Sequence, residues 1–133
     1  MNTTISRHRL ACIVFAIIMG IFGIVHLFNA ESMVGTVPTF LPGGIIWVYI
    51  TGIGFILASV AILINKQTKL ACYLLAAMLL VFIFTVHVPT LIHDTDEVSK
   101  QMAMLMMLKD IGLTMAAVLV GYNSTRPDDM ENA

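Results

Sequence analysis

LACIVFAIIMGIFGIVHLF, residues 10–28, runs through nineteen positions without an Asp, Glu, Lys or Arg. A helix needs about 20 mostly apolar residues, at about 1.5 Å each, to cross the roughly 30 Å hydrocarbon core of a bilayer. The run therefore reads as a membrane-spanning helix. Its basic start, Arg7-His8-Arg9, invites comparison with a secretory signal, but signal cores stop at about 7–15 residues. The nearest cleavage-like triplet, Phe28-Asn29-Ala30, also puts a bulky ring where a small residue is needed. The segment is expected to stay in the protein.

Three more runs of this kind follow. Residues 45–64 carry no charge, and residues 70–92 contain one ionisable side chain, His87. Residues 102–122 have the right length but contain Lys109-Asp110. With three cleaner spans before it, the fourth run also reads as a span. The prediction is an all-α integral membrane four-helix bundle, one domain over residues 1–133. Its spans fall at about 10–28, 45–64, 70–92 and 102–122, with a polar tail, 123–133, that lacks regular structure.

Composition agrees. Hydrophobic residues make up 59% of the chain and charged residues 11%, with a mean hydropathy of +0.93, against about half and a quarter in soluble domains. A net charge of −1 and the lack of a basic patch exclude a nucleic-acid partner. Cys12 and Cys72 are too few and too far apart for a disulfide scaffold or a zinc site, and read as small buried hydrophobes.

The connections differ in kind. Residues 65–69 (NKQTK) make a tight polar turn, and residues 93–100 (HDTDEVSK) a short acidic loop. The first loop, Asn29–Gly44, mixes Pro38, Pro42, Gly43 and Gly44 with Val34, Val37, Phe40 and Leu41. That mixture suggests a re-entrant or interfacial lid, with Trp47 as an interface anchor. Arg7, Arg9, Lys66, Lys69 and Arg126 fall on one side of the bilayer, and Lys100 alone on the other. The excess predicts that both termini face the cytoplasm. The glycosylation-like triplets Asn2-Thr3-Thr4 and Asn123-Ser124-Thr125 lie on that same side and carry no meaning there.

The chain reads as one hairpin written twice. Leu10-Ala11-Cys12 and Val25-His26 in the first span correspond to Leu70-Ala71-Cys72 and Val86-His87 in the third. An offset of 58 aligns Ile53, Gly54, Ala58 and Val60 with Ile111, Gly112, Ala116 and Val118. The halves would be related by a pseudo-twofold along the membrane normal. Gly20 and Gly23, with Gly52 and Gly54, supply the small surfaces that helix packing in lipid uses.

Ionisable residues in hydrocarbon are costly and mark candidate sites. From the cytoplasmic ends of their spans, His26 lies about 24 Å up, His87 about 26 Å, Asp110 about 18 Å and Lys109 about 20 Å. All four fall in the outer half of the membrane, and pseudo-symmetry should bring the histidines towards each other. Two imidazoles can ligate haem iron or another metal. A histidine with a carboxylate can hold and relay a proton, as quinone chemistry requires. Each could equally donate to a backbone carbonyl and merely tie helices together. Lys109 is expected to snorkel away from Asp110 towards the outer surface. Asp110 is too short to do so and must be paired, hydrogen-bonded or protonated, so it should face the interior near His26, His87, Thr51 or Thr85. The methionines at 102, 104, 106 and 107 do not share one face and read as apolar filler.

With Gly20-Ile-Phe-Gly23-Ile-Val-His26, Pro38 and Pro42, Thr51-Gly52, Lys69-Leu-Ala71, His87-Val-Pro89 and Lys109-Asp110, the chain resembles the DoxX-like family of small bacterial membrane proteins, from about Arg9 to Tyr122. The resemblance implies a four-helix bundle in the bacterial inner (plasma) membrane. It also implies a link to quinone or sulfur-compound redox systems, or to assembly of larger membrane proteins. Many similar proteins carry a glutamate shortly after the Thr-Gly of the second span, where this chain has Phe55.

Two functions follow. One is a redox-associated subunit binding a quinone-like or other hydrophobic ligand, with haem as the lesser alternative, at His26, His87, Asp110 and Lys109. The other is a non-enzymatic accessory or assembly protein, whose partner is another membrane protein or a second copy. Neither calls for a resident metal, and no catalytic residue can be named.

Overall fold

The computed structural model describes residues 7–124. The Asn2-Thr3-Thr4 triplet, and the tail from residue 125 with Arg126, lie outside them. Four helical stretches are long and apolar enough to cross a membrane: Arg7–Phe28, Ile45–Leu63, Thr68–His93 and Glu97–Asn123. They comprise α1 (Arg7–Phe28), α3 (Ile45–Leu63), α4 (Thr68–Phe82) continued by a π-helical segment (Ile83–His87) and α5 (Val88–His93), and α6 (Glu97–Asn123). A short α2 (Ala30–Met33) and a 3₁₀ turn (Val34–Thr36) lie in the first loop.

The ends of these helices have local causes. At the end of α3, Lys66 N–H donates to the Ala61 carbonyl and Asn65 N–H to that of Ile62. With Asn65 at φ +56°, this is a Schellman cap. The predicted acidic loop, 93–100, shrinks to Asp94–Asp96. Asp96 caps α6 by accepting from the backbone N–H of Ser99 at 3.0 Å and its hydroxyl at 2.8 Å, so a polar first turn precedes the apolar span. In the first loop, Gly43 and Gly44 take φ of +93° and +31°, a region side chains rarely adopt. Trp47 closes that bend by donating Nε1–H to the Pro42 carbonyl at 2.8 Å.

Buried positions recur at steps of three, four and seven: Cys12, Ala16, Met19 and Gly23 on α1, Val48, Phe55, Ala58 and Ile62 on α3, and Ala103, Asp110, Thr114, Ala117 and Gly121 on α6. Such spacing suits long helices packed side by side. Both cysteines are free, buried and part of one apolar core. Ile17, Leu57, Leu74 and Leu105 meanwhile point outward and exposed. Helices apolar all round are built for lipid. The molecule is an all-α membrane four-helix bundle.

The bundle consists of two hairpins, α1 with α3 and α4 with α6, joined where α3 meets α4. In the first, a Cβ on Gly23 would sit 2.7 Å from the Gly52 carbonyl oxygen, and one on Gly20 2.9 Å from Ser59 Oγ. Ser59 donates to the Ala16 carbonyl at 2.6 Å. Gly54 does not join this seam; it faces Met78 of α4. At one end, the Arg9 guanidinium donates to the Ile62 and Leu63 carbonyls at 2.8 and 2.5 Å. This ties the start of α1 to the end of α3.

Candidate functional site

Midway along its length, α6 carries Asp110 on its inward stripe, and the residue is almost fully buried at 3% exposure. His87 Nε2 donates to Asp110 Oδ2 at 2.8 Å. Lys109 Nζ lies 3.1 Å from Asp110 Oδ1. Each carboxylate oxygen thus has its own cationic or imidazole partner. Thr114, one turn on, returns its hydroxyl to the Asp110 carbonyl at 2.7 Å.

The direction of Lys109 corrects the sequence expectation. Neighbours on a helix point about 100° apart, yet a four-carbon stem is long enough to bend back. Its ammonium meets Asp110 and also stands 4.7 Å from the centre of the Phe22 ring, within cation–π range. One lysine so joins α6 to α1. The side chain remains 39% exposed, against 15% for His87.

His87 sits at the end of the π-helical segment. There the Val88 N–H reaches back five residues to the Ile83 carbonyl, and Pro89, which has no N–H, follows. A π segment inserts one extra residue into an α-helix. Fourteen residues separate Cys12 from His26, and fifteen separate Cys72 from His87. The bulge absorbs the difference, so each histidine keeps its register relative to its cysteine.

The repeat extends to the partners. At the offset of 58, Asp110 corresponds to Gly52. A Cβ on Gly52 would lie 3.1 Å from His26 Cβ, so His26 packs over a bare backbone where His87 finds a carboxylate. His26 instead donates Nδ1–H to the Phe22 carbonyl at 2.7 Å, and its ring stands 5.3 Å from that of Phe55. Phe55 in turn lies 6.1 Å from Phe22.

Of the four predicted site residues, the structure joins His87, Asp110 and Lys109 directly. His26 connects through Phe22, and no hydrogen bond links the two imidazoles among the described residues. Neither Thr51 nor Thr85 reaches Asp110; each hydroxyl returns to its own helix, at Trp47 and Val81. Phe22 and Thr114 were not singled out by sequence. Their only signal is a spacing of four, from His26 and from Asp110. No group of three or more His, Cys, Asp or Glu side chains converges as a metal site among the described residues.

Chemically, the arrangement is a buried carboxyl group bonded on one oxygen to an imidazole and on the other to an ammonium group, a grouping suited to holding a proton inside a membrane. Residues 15–124 match the model of a family described as Domain of unknown function (DUF8561). Neither a curated protein nor a solved structure matches. The chain, matched over most of its length, belongs to the DUF8561 family.

Proposed function

We propose that this protein is a redox-associated membrane subunit in which Asp110 and His87 exchange a proton with a quinone-like or other hydrophobic ligand. The ligand approaches the end of the bundle covered by the first loop, with Lys109 and His26 beside it. The observation that carries this reading is Asp110, almost fully buried in the bundle yet bonded to a histidine that keeps partial access to the outside. Intramembrane carboxylates with histidine partners are typical of proton relays. The resemblance to the DoxX-like family supports the same reading, although Phe55 stands where many relatives carry a glutamate. On it the chain lies in the bacterial inner membrane with both termini cytoplasmic, and residues 29–44 form an interfacial lid.

The test is purification in mild detergent, followed by an absorbance spectrum for haem or flavin and solvent extraction for quinone. Co-extracted quinone in wild-type protein, absent from a folded Asp110→Asn variant, supports the proposal. Quinone at background in both overturns it. A second reading has its own support: every buried side-chain nitrogen and oxygen among the described residues already has a partner. The polar group is then complete without a ligand and acts as a tie in an accessory protein. In that case Asp110→Asn only loosens the bundle.

A further inference from the structure

The hairpins meet along α3 and α4, less closely than the helices within each hairpin, and there the surface opens into a groove of about 290 Å³. Gly54, Ala58 and Ala61 form one wall, and Leu70, Leu74 and Met78 the other. Small-molecule sites run to about 300–1,000 Å³, so this groove suits one linear chain better than a ring system. From Gln67, which also lines it, to Met78 is about 16 Å along the helix, close to the hydrocarbon depth of one leaflet, about 15 Å.

The mouth of the groove lies at the Asn65–Gln67 turn. Lys66 and Lys69 flank it, both exposed, and no ion pair holds either among the described residues. An apolar slot one leaflet deep under two unpaired ammonium groups is complementary to one molecule type: a lipid with an anionic headgroup and a straight acyl chain. We propose that this groove is a binding site for an anionic phospholipid, with one acyl chain between α3 and α4 and the phosphate at Lys66 and Lys69. None of His87, Lys109 and Asp110 lines the groove, and the site does not depend on the redox proposal.

Lipid retention tests it. Protein in detergent micelles doped with equal amounts of phosphatidylglycerol and phosphatidylcholine is repurified, and bound lipid is counted by native mass spectrometry. Phosphatidylglycerol should be retained in preference, with one lipid per chain dominant. Lys66→Gln with Lys69→Gln should erase that preference, each lysine contributing about fivefold, as expected from the attraction between surface lysines and anionic lipid. Lys100→Gln, at the other end, should leave it unchanged. Ala61→Phe, with its helix content checked by circular dichroism, should reduce retention of both lipids. Equal retention of the two lipids by wild-type protein would overturn the proposal, as would a preference that survives the double lysine variant. So would a second protein copy cross-linked through Ala61 in place of lipid.

Discussion

Asp110 gives up hydration for two neighbours, one on its own helix and one on the preceding span. Removing one member of a buried ion pair strands the other, at about 3–5 kcal/mol. Asp110→Ala should therefore lower unfolding stability in micelles by about that much, since it leaves His87 facing an empty site. Lys109→Met should cost less than Asp110→Ala, because the lysine side chain is the most exposed of the three and its loss leaves Asp110 still paired with His87. Joint replacement of His87 and Asp110 by Leu should recover much of the loss from Asp110→Ala, since an apolar pair needs no partner. If Lys109→Met matches Asp110→Ala, the hierarchy within the cluster is wrong. The burial of Asp110 was legible from residue type alone, because a short carboxylate in hydrocarbon has nowhere else to go. The turn of Lys109 was not, because it depends on the Phe22 ring of another helix.

Among the elements, α1 and α3 approach closely only where glycine allows it. A Cβ on Gly23 would meet backbone at Gly52 and the Ile56 side chain, so Gly23→Ala should destabilise the bundle by about 1–3 kcal/mol through overpacking. Gly112, on the open face of α6, has nothing within 4 Å. Gly112→Ala should be neutral or stabilising by up to about 1 kcal/mol. Comparing the two melting temperatures checks both. Sequence showed that these glycines were small but not which neighbour each would meet: Gly52 faces α1, whereas Gly54 faces Met78 of α4. The π segment was likewise hidden, since its evidence is one residue in the spacing of two Cys–His pairs. Deleting the exposed Phe84 should resolve the bulge into α-helix and leave His87 beside Asp110, whereas deleting Leu74 should rotate the Leu75–Leu79 face out of the core. Equal expression and melting of the two deletions would sink the insertion model. At the start of α6, hydrogen bonds from the Ser99 hydroxyl and backbone N–H hold the Asp96 carboxyl below the usual aspartate range. Stabilisation from a depressed carboxyl is present above its unfolded value, about 3.9, and fades as pH falls through the folded one. The first turn of α6 should thus fray only below about pH 4, and Ser99→Ala should move the Asp96 midpoint, followed by NMR, back up.

At the scale of the whole molecule, span number was the most legible feature, because bilayer thickness fixes helix length whatever the packing. The pairing of spans was legible through the repeat, and the tie from Arg9 to the end of α3 puts the basic start of α1 at the same end as Lys66 and Lys69. That coincidence carries the final prediction. Lysine and arginine near short loops resist translocation, and acidic residues count for little. Among the described residues one end of the bundle carries Arg7, Arg9, Lys66 and Lys69, and the other Lys100 beside Asp94, Asp96 and Glu97. The first end should remain in the cytoplasm and the short Asp94–Asp96 loop should face out. Reporter fusions at Thr68 and at Asp96 should give opposite signals, cytoplasmic and external respectively. Changing Arg7, Arg9, Lys66 and Lys69 to Gln while adding lysines around Asp94 should weaken or invert that assignment, because the bias rests on those side chains and not on the apolar spans. Identical signals from the two wild-type fusions would mean that α4 to α5 does not cross, and the four-span arrangement would fall with it.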